Sequence, residues 1–165
     1  METVSVEEVE SYAGPAAVKR PLSKALGASE LNLNYYELEP GESFAFGYHA
    51  HTDQEEVFYV RSGRVTFETE AGDVAVDAGE AVRFAPGEYQ RGTNEGSERV
   101  VALAFGAPQA AGETEILRAC PNCDERTAQR IERAEEGEEG KDGGDDGDTL
   151  VTLCVDCDAE TGWFA

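Results

Sequence analysis

From Leu31 to Phe105 the chain repeats one unit: a short alternating or β-branched run closed by a glycine or proline turn. Leu31-Asn-Leu-Asn-Tyr-Tyr-Glu-Leu-Glu stops at Pro40-Gly41. Val57-Phe-Tyr-Val-Arg passes through Ser62-Gly63 into Arg64-Val-Thr-Phe-Glu-Thr-Glu, a hairpin pattern. Gly72, Gly79 and Pro86-Gly87 punctuate the next two runs, and residues 99–105 close the series. Short strands at near-even spacing predict an all-β sandwich or barrel.

The rest of the chain divides around this unit. Residues 1–30 read as an N-terminal arm: Ser5-Val-Glu-Glu8 is a capping-box pattern for a helix over about residues 6–11, ended by Gly14-Pro15. Ser23-Lys-Ala-Leu-Gly27 reads as a second helical turn closed by glycine. Residues 31–108 form the barrel, 109–118 a linker, and 119–165 a small cysteine-bearing module with an acidic, glycine-rich loop at 135–148. That loop cannot bury apolar surface, and it lacks the ligand spacing of an EF-hand.

The chemistry concentrates at the only two histidines, His49 and His51. In an extended strand residues i and i+2 point to one face, so both imidazoles project together. Two histidines and a carboxylate suit a divalent first-row metal with positions left open for substrate. The following pair Glu55-Glu56 supplies the acid. Alternation puts Glu56 on the face of Phe58 and Val60, so Glu56 is the expected ligand. Tyr48 and Tyr59 fall on the opposite side, where packing or a dimer sheet accounts for them. Arg83 is an anion contact if its strand turns it inward.

These residues resemble the cupin superfamily. Gly41, His49, His51, Glu56 and Gly63 follow its first motif, with a longer spacer between Gly41 and His49 than the family pattern and six residues between Glu56 and Gly63. Gly79, Gly87 and Asn94 follow its second motif, with Ala85 at the proline place and Pro86 shifted by one. The resemblance covers roughly residues 31–106. It implies a double-stranded β-helix (jelly-roll barrel), a small-molecule ligand in the barrel, a homodimer, and a divalent metal such as Fe, Mn, Ni or Zn. Gln90 stands where the family carries a third histidine. An amide oxygen is a weaker donor to such metals than an imidazole nitrogen, so the expected set is His49, His51 and Glu56 with Gln90 a weak fourth. The alternative is a pocket that has lost its metal.

Cys120-Pro-Asn-Cys123 and Cys154-Val-Asp-Cys157 stand thirty residues apart. Two such knuckles with strand-like runs at residues 126–133 and 149–153 predict a zinc-ribbon-like module whose four thiolates hold structural zinc. The βαβ context of a redox dithiol is missing, and a reducing cytosol disfavours disulfides. The terminal Thr161-Gly-Trp-Phe-Ala closes the ribbon or docks on the barrel; an exposed Trp163 is the third option.

The formal net charge of −22 points to a halophilic, archaeal protein, because molar salt shortens the Debye length to roughly 3 Å and screens carboxylate repulsion. It argues against nucleic acid or an anionic membrane as partner; Arg118, Arg126, Arg130 and Arg133 are the one basic cluster of the ribbon. The acidic start Met1-Glu-Thr-Val-Ser-Val-Glu-Glu carries no signal peptide and no apolar run spans a membrane, so a cytoplasmic location is expected. Two functions remain open at this level: a metal-dependent oxygenase or isomerase, and a non-enzymatic sensing cupin whose ribbon contacts protein or nucleic acid.

Overall fold

The computed structural model describes residues 1–134 and 149–165, and the acidic loop read at 135–148 lies outside the described residues. Two antiparallel sheets face each other. One holds, in order, β1 (Val18–Pro21), β2 (Asn32–Leu38), β9 (Val100–Ala107), β4 (Glu55–Ser62) and β7 (Ala81–Phe84). The other runs β13 (Glu160–Phe164), β12 (Leu150–Cys154), β11 (Glu125–Arg133), β10 (Thr114–Cys120), β3 (Tyr48–His51), β8 (Gln90–Thr93), β5 (Arg64–Thr69) and β6 (Val74–Asp77). The expected all-β jelly roll is the fold.

The alternation read in the sequence sets the two faces. Phe58 and Val60 of β4, and Val100, Ala102 and Ala104 of β9, are buried between the sheets, while Tyr59 and Phe105 face outward. Aromatic rings fill the interior. Phe44 packs on Tyr36, Phe58 and Phe67 with centroids 5.1, 4.9 and 6.0 Å apart, and Phe67 continues to Phe84 at 5.3 Å. Gly92 of β8 makes room for them: a Cβ there would sit 2.6 Å from both Phe44 and Phe67. Gly63 turns β4 into β5 at φ 79°, a left-handed conformation that side chains resist. Asn94 is wholly buried, donating to the carbonyls of Leu38 (2.9 Å) and Glu98 (2.8 Å) and accepting from Gly96 N–H (3.0 Å). Every hydrogen-bonding group of that amide but one lone pair is thus occupied by the loop it braces.

Three segments depart from the sequence reading. The helix expected over residues 6–11 is a single 3-10 turn, Val6–Glu8, and Ser5 makes no side-chain cap bond. The guanidinium of Arg20 takes the carbonyl oxygens of Glu7 and Val9, acceptors that a longer helix needs for its own ladder. The arm also contributes β1, which extends the first sheet against β2, and the helix α1 (Leu22–Leu26), closed as expected by Gly27 at φ 68°. The segment read as a linker carries β10 from Thr114 onward. β10 pairs with β3 on one side (Thr114↔His51, Ile116↔His49) and with β11 on the other (Cys120↔Glu125), so barrel and cysteine module share one sheet. No helix among the described residues is long and apolar enough to cross a membrane.

Replacing Gly92 with alanine forces a methyl into the Phe44–Phe67 contact, and overpacking of this kind costs about 1–3 kcal/mol. Urea unfolding of Gly92→Ala at constant high salt should show that loss; an unchanged midpoint means the rings are not closed on β8 as described.

Candidate metal centres

Four short segments build the barrel site. β3 presents His49 and His51 on one face, and β4 of the opposite sheet brings Glu56 to meet them. His49 Nε2 and His51 Nε2 lie 3.7 and 3.6 Å from Glu56 Oε2. The far nitrogens are tied down. His49 Nδ1 donates to Gly47 O at 3.2 Å, since a carbonyl can only accept. His51 Nδ1 is hydrogen-bonded with Thr114 Oγ1 at 2.8 Å. A neutral His49 therefore keeps its proton on Nδ1 and turns its Nε2 lone pair to the carboxylate, and His51 does the same in the tautomer that donates to Thr114. Burial pushes the Glu56 carboxyl up, but where His49 and His51 are protonated their Nε2–H groups and positive charge outweigh it and bring the carboxyl to about 2. The acid is therefore ionised wherever the protein is folded at ordinary pH. With both rings neutral and protonated on Nδ1, two nitrogens and an anionic oxygen, all acceptors, converge 3.6–3.7 Å apart along the two histidine–glutamate edges. Donors about 2.1 Å from one ion stand roughly 3.0–3.4 Å apart. The two histidine–glutamate distances are a few tenths of an ångström wider, and all three ligand atoms lie within 4.8 Å of one another, so the set could hold a divalent metal by drawing together. Glu55 points away, to the exposed Arg83 (2.6 Å), which removes Arg83 from the pocket.

Gln90 is the cross-strand partner of His49 and almost fully buried. Its amide nitrogen, not its oxygen, faces the cluster: Nε2 donates to Glu56 Oε2 at 2.9 Å and lies 3.3 Å from His49 Nε2. Oε1 is buried without a partner. Gln90 therefore orients the carboxylate as it stands, and would ligate a metal only with its amide turned over. The donor is matched to the site, and the expected weak fourth ligand is not in a ligating pose.

Above the cluster lies a cavity of about 250 Å³, somewhat below the roughly 300–1,000 Å³ of drug-sized sites. Its walls include Phe44, Phe46 and Phe58, but also Asn32, Asn34 and Lys19. Sequence reasoning missed these last three and Thr114. Asn32-x-Asn34 carried a readable signal: polar residues at a two-residue period turn a hydrophilic edge into the barrel. Thr114 offered none, because its role depends on the pairing of β10 with β3. A larger open groove of about 860 Å³ lies between residues 3–12 and α1, away from both clusters. Tyr48 is turned outward as expected, stacked on Tyr89 with centroids 5.3 Å apart, under the guanidinium of Arg126.

The four cysteines converge beside the barrel. Sγ atoms of Cys120 and Cys157 lie 3.5 Å apart, Cys123 and Cys157 3.6 Å, and Cys123 and Cys154 3.9 Å. Thiolates 2.3 Å from a tetrahedral ion would stand about 3.8 Å apart, and a disulfide needs about 2.05 Å. The spacing fits one shared ion and no disulfide. The knuckles are alike: Asp124 and Asp158, each next after a second cysteine, adopt φ 61° and 60° and donate N–H to Cys120 O and Cys154 O at 3.0 Å. The Thr127 hydroxyl lies 3.1 Å from Cys154 Sγ and, with backbone N–H groups, brings that thiol down to about 6, while Cys157 and Cys120 push Cys123 up. The last strand closes the module. Phe164 packs edge-on against Phe46 (5.0 Å), Arg118 lies over its ring, and Trp163 remains 56% exposed.

Residues 34–106 match the family model described as Cupin domain. No curated protein sequence matches the chain. Among solved structures it resembles a cupin-superfamily sugar phosphate isomerase from Silicibacter pomeroyi (16% identity, TM-score 0.60, 99% of this chain and 92% of that one). A protein from Acidithiobacillus ferrooxidans provisionally named a sugar phosphate isomerase is similar (23%, 0.58, 74% and 81%). So is a predicted oxalate decarboxylase from Thermotoga maritima (21%, 0.55, 65% and 99%). At these identities the likeness shows the cupin fold.

Thr114 holds His51 from outside the ligand set, and loss of such a partner typically costs 10–100-fold in metal affinity. Thr114→Val should weaken Mn²⁺ binding at the barrel about tenfold in titration calorimetry while leaving the circular dichroism spectrum unchanged. Equal affinity would mean that the hydroxyl does not set the ring.

Proposed function

We propose that this protein binds a divalent first-row metal through His49, His51 and Glu56 and takes a small oxygenated molecule in the cavity above it, with zinc on Cys120, Cys123, Cys154 and Cys157. The observation carrying the barrel reading is the convergence of three acceptors on one point with no donor of their own between them. A bound metal supplies Lewis-acid or redox chemistry at its open positions. The chain's own residues orient the set: Gly47 O and Thr114 fix the imidazoles, Gln90 holds the carboxylate, and the Phe44, Phe46 and Phe58 walls exclude water. On this reading the protein belongs in the isomerase or oxygenase range. Two neighbours named for sugar phosphate and oxalate chemistry support a small, oxygen-rich ligand.

A second reading, a sensing cupin, is favoured by one observation: Gln90 brings amide hydrogens rather than a third imidazole to the centre. In that case the ribbon is the output surface. Its basic cluster gives little support to nucleic acid as partner, because Arg126 pairs with Glu68 (2.7 Å) and Arg130 with Glu132 (2.6 Å) and Asp158 (2.8 Å). Metal content at high salt separates the readings. Two ions per chain falling to one in the quadruple Cys→Ser variant supports an occupied barrel; one falling to zero supports the sensing reading.

We further propose a homodimer through the outer face of the first sheet. Leu33, Tyr35, Val57, Leu103 and the exposed Tyr59 and Phe105 lie side by side there by strand register. Phe105→Glu should halve the mass seen by light scattering. A wild type already monomeric, or a variant of unchanged mass, rules this face out. The charge of −22 supports our reading of a protein that works in a salt-rich cytoplasm; an unfolding midpoint that falls as KCl is raised would count against that.

A further inference from the structure

Lysine is scarce in this chain, three residues in 165, and one of them stands in the wall of the barrel cavity. β1 carries it there. Lys19 is the cross-strand partner of Tyr36, and its ammonium lies over that ring, 5.8 Å from the centroid. The ion pairs of the described residues use arginine throughout, apart from the two histidines, and none involves Lys19. Histidines aside, it is the one cation among the cavity-lining residues, and Glu56 is the one carboxylate. Burial disfavours the ammonium and lowers its pKa, with Glu56 working in the opposite direction. A partly buried ammonium without an ion-pair partner is costly unless something anionic joins it.

We infer that Lys19 anchors a carboxylate of the ligand, so that the cavity accepts small carboxylic acid anions. Asn32 and Asn34 line the same wall and add amide donors beside the ammonium. On a chain of charge −22 the field outside repels anions, and this cation is the local feature that reverses it. A single lysine without arginine or a helix N-terminus favours a carboxylate over a phosphate, which calls for more donors. The small cavity favours a ligand of few atoms. That the ligand's other end reaches a metal rests on the function proposed above; the part played by Lys19 does not.

The test compares full-length wild type, Lys19→Met and Lys19→Arg, each incubated with Mn²⁺. Bound metal is counted first, and thermal melts confirm folding. Malonate and its uncharged counterpart malonamide are then titrated by calorimetry at one fixed salt concentration. Wild type should prefer malonate at least tenfold, Lys19→Met should lose that preference with metal content unchanged, and Lys19→Arg should keep part of it. Three results overturn the inference: no malonate binding to wild type at millimolar concentration, equal malonate affinity in wild type and Lys19→Met, or a Lys19→Met variant altered only in metal affinity. The last would make Lys19 a counter-ion of Glu56. A wild type that loads no metal in the barrel defeats the metal reading alone, because the malonate comparison is still read without it.

Discussion

His49 and His51 lie on one sheet and Glu56 on the other, so the distance between them is a packing distance. It is set by the rings of Phe44, Phe58, Phe67 and Phe84, which pack against one another between the two sheets with neighbouring centroids 4.9–5.3 Å apart. Gly92 lets that column close on β8, the strand that also carries Gln90. The geometry of the three candidate ligands therefore depends on apolar contact beside them. A core loosened by a fraction of an ångström would leave the three donors too wide for one ion.

The centre is also a problem in buried charge. Glu56 is ionised in a partly buried place, where an unpaired carboxylate is expensive. Protonated imidazoles beside it outweigh the penalty, which is why its pKa then falls to about 2 instead of rising. The linkage has a definite sign. A depressed carboxyl contributes stability above its ordinary value near 4.5, and that contribution is lost as pH falls through the folded value. Gln90 adds one amide hydrogen bond, 2.9 Å to Glu56 Oε2, to the same balance, so its presence is compatible with a charged centre in a way that an apolar replacement would not be.

Local features of the chain were legible and distant ones were not. Strand parity alone separates Glu56 from Glu55, and the turn glycines mark where the strands end. The cysteine pairs announce their own convergence by spacing. Thr114, in contrast, lies sixty-three residues from the histidine it touches, within a run of mixed polarity that reads as a connector. Lys19 reaches the cavity only because the arm forms β1. Arg83 could not be placed without the register of β7 against β4. The Ser5–Glu8 pattern failed for a long-range reason as well: Arg20 claims the carbonyls its helix required.

β10 belongs to both neighbours at once. Its first residue pairs with His51 and its last is a cysteine of the four-thiol cluster, with Thr114, Ile116, Arg118 and Cys120 all on one face by the two-residue repeat. Inserting or deleting a single residue between them would turn either Thr114 or Cys120 to the wrong side of the sheet. The length of this segment is consequently fixed in a way its composition is not. Substitutions can accumulate along it, but the count of residues from Thr114 to Cys120 cannot drift by one while both centres keep their geometry.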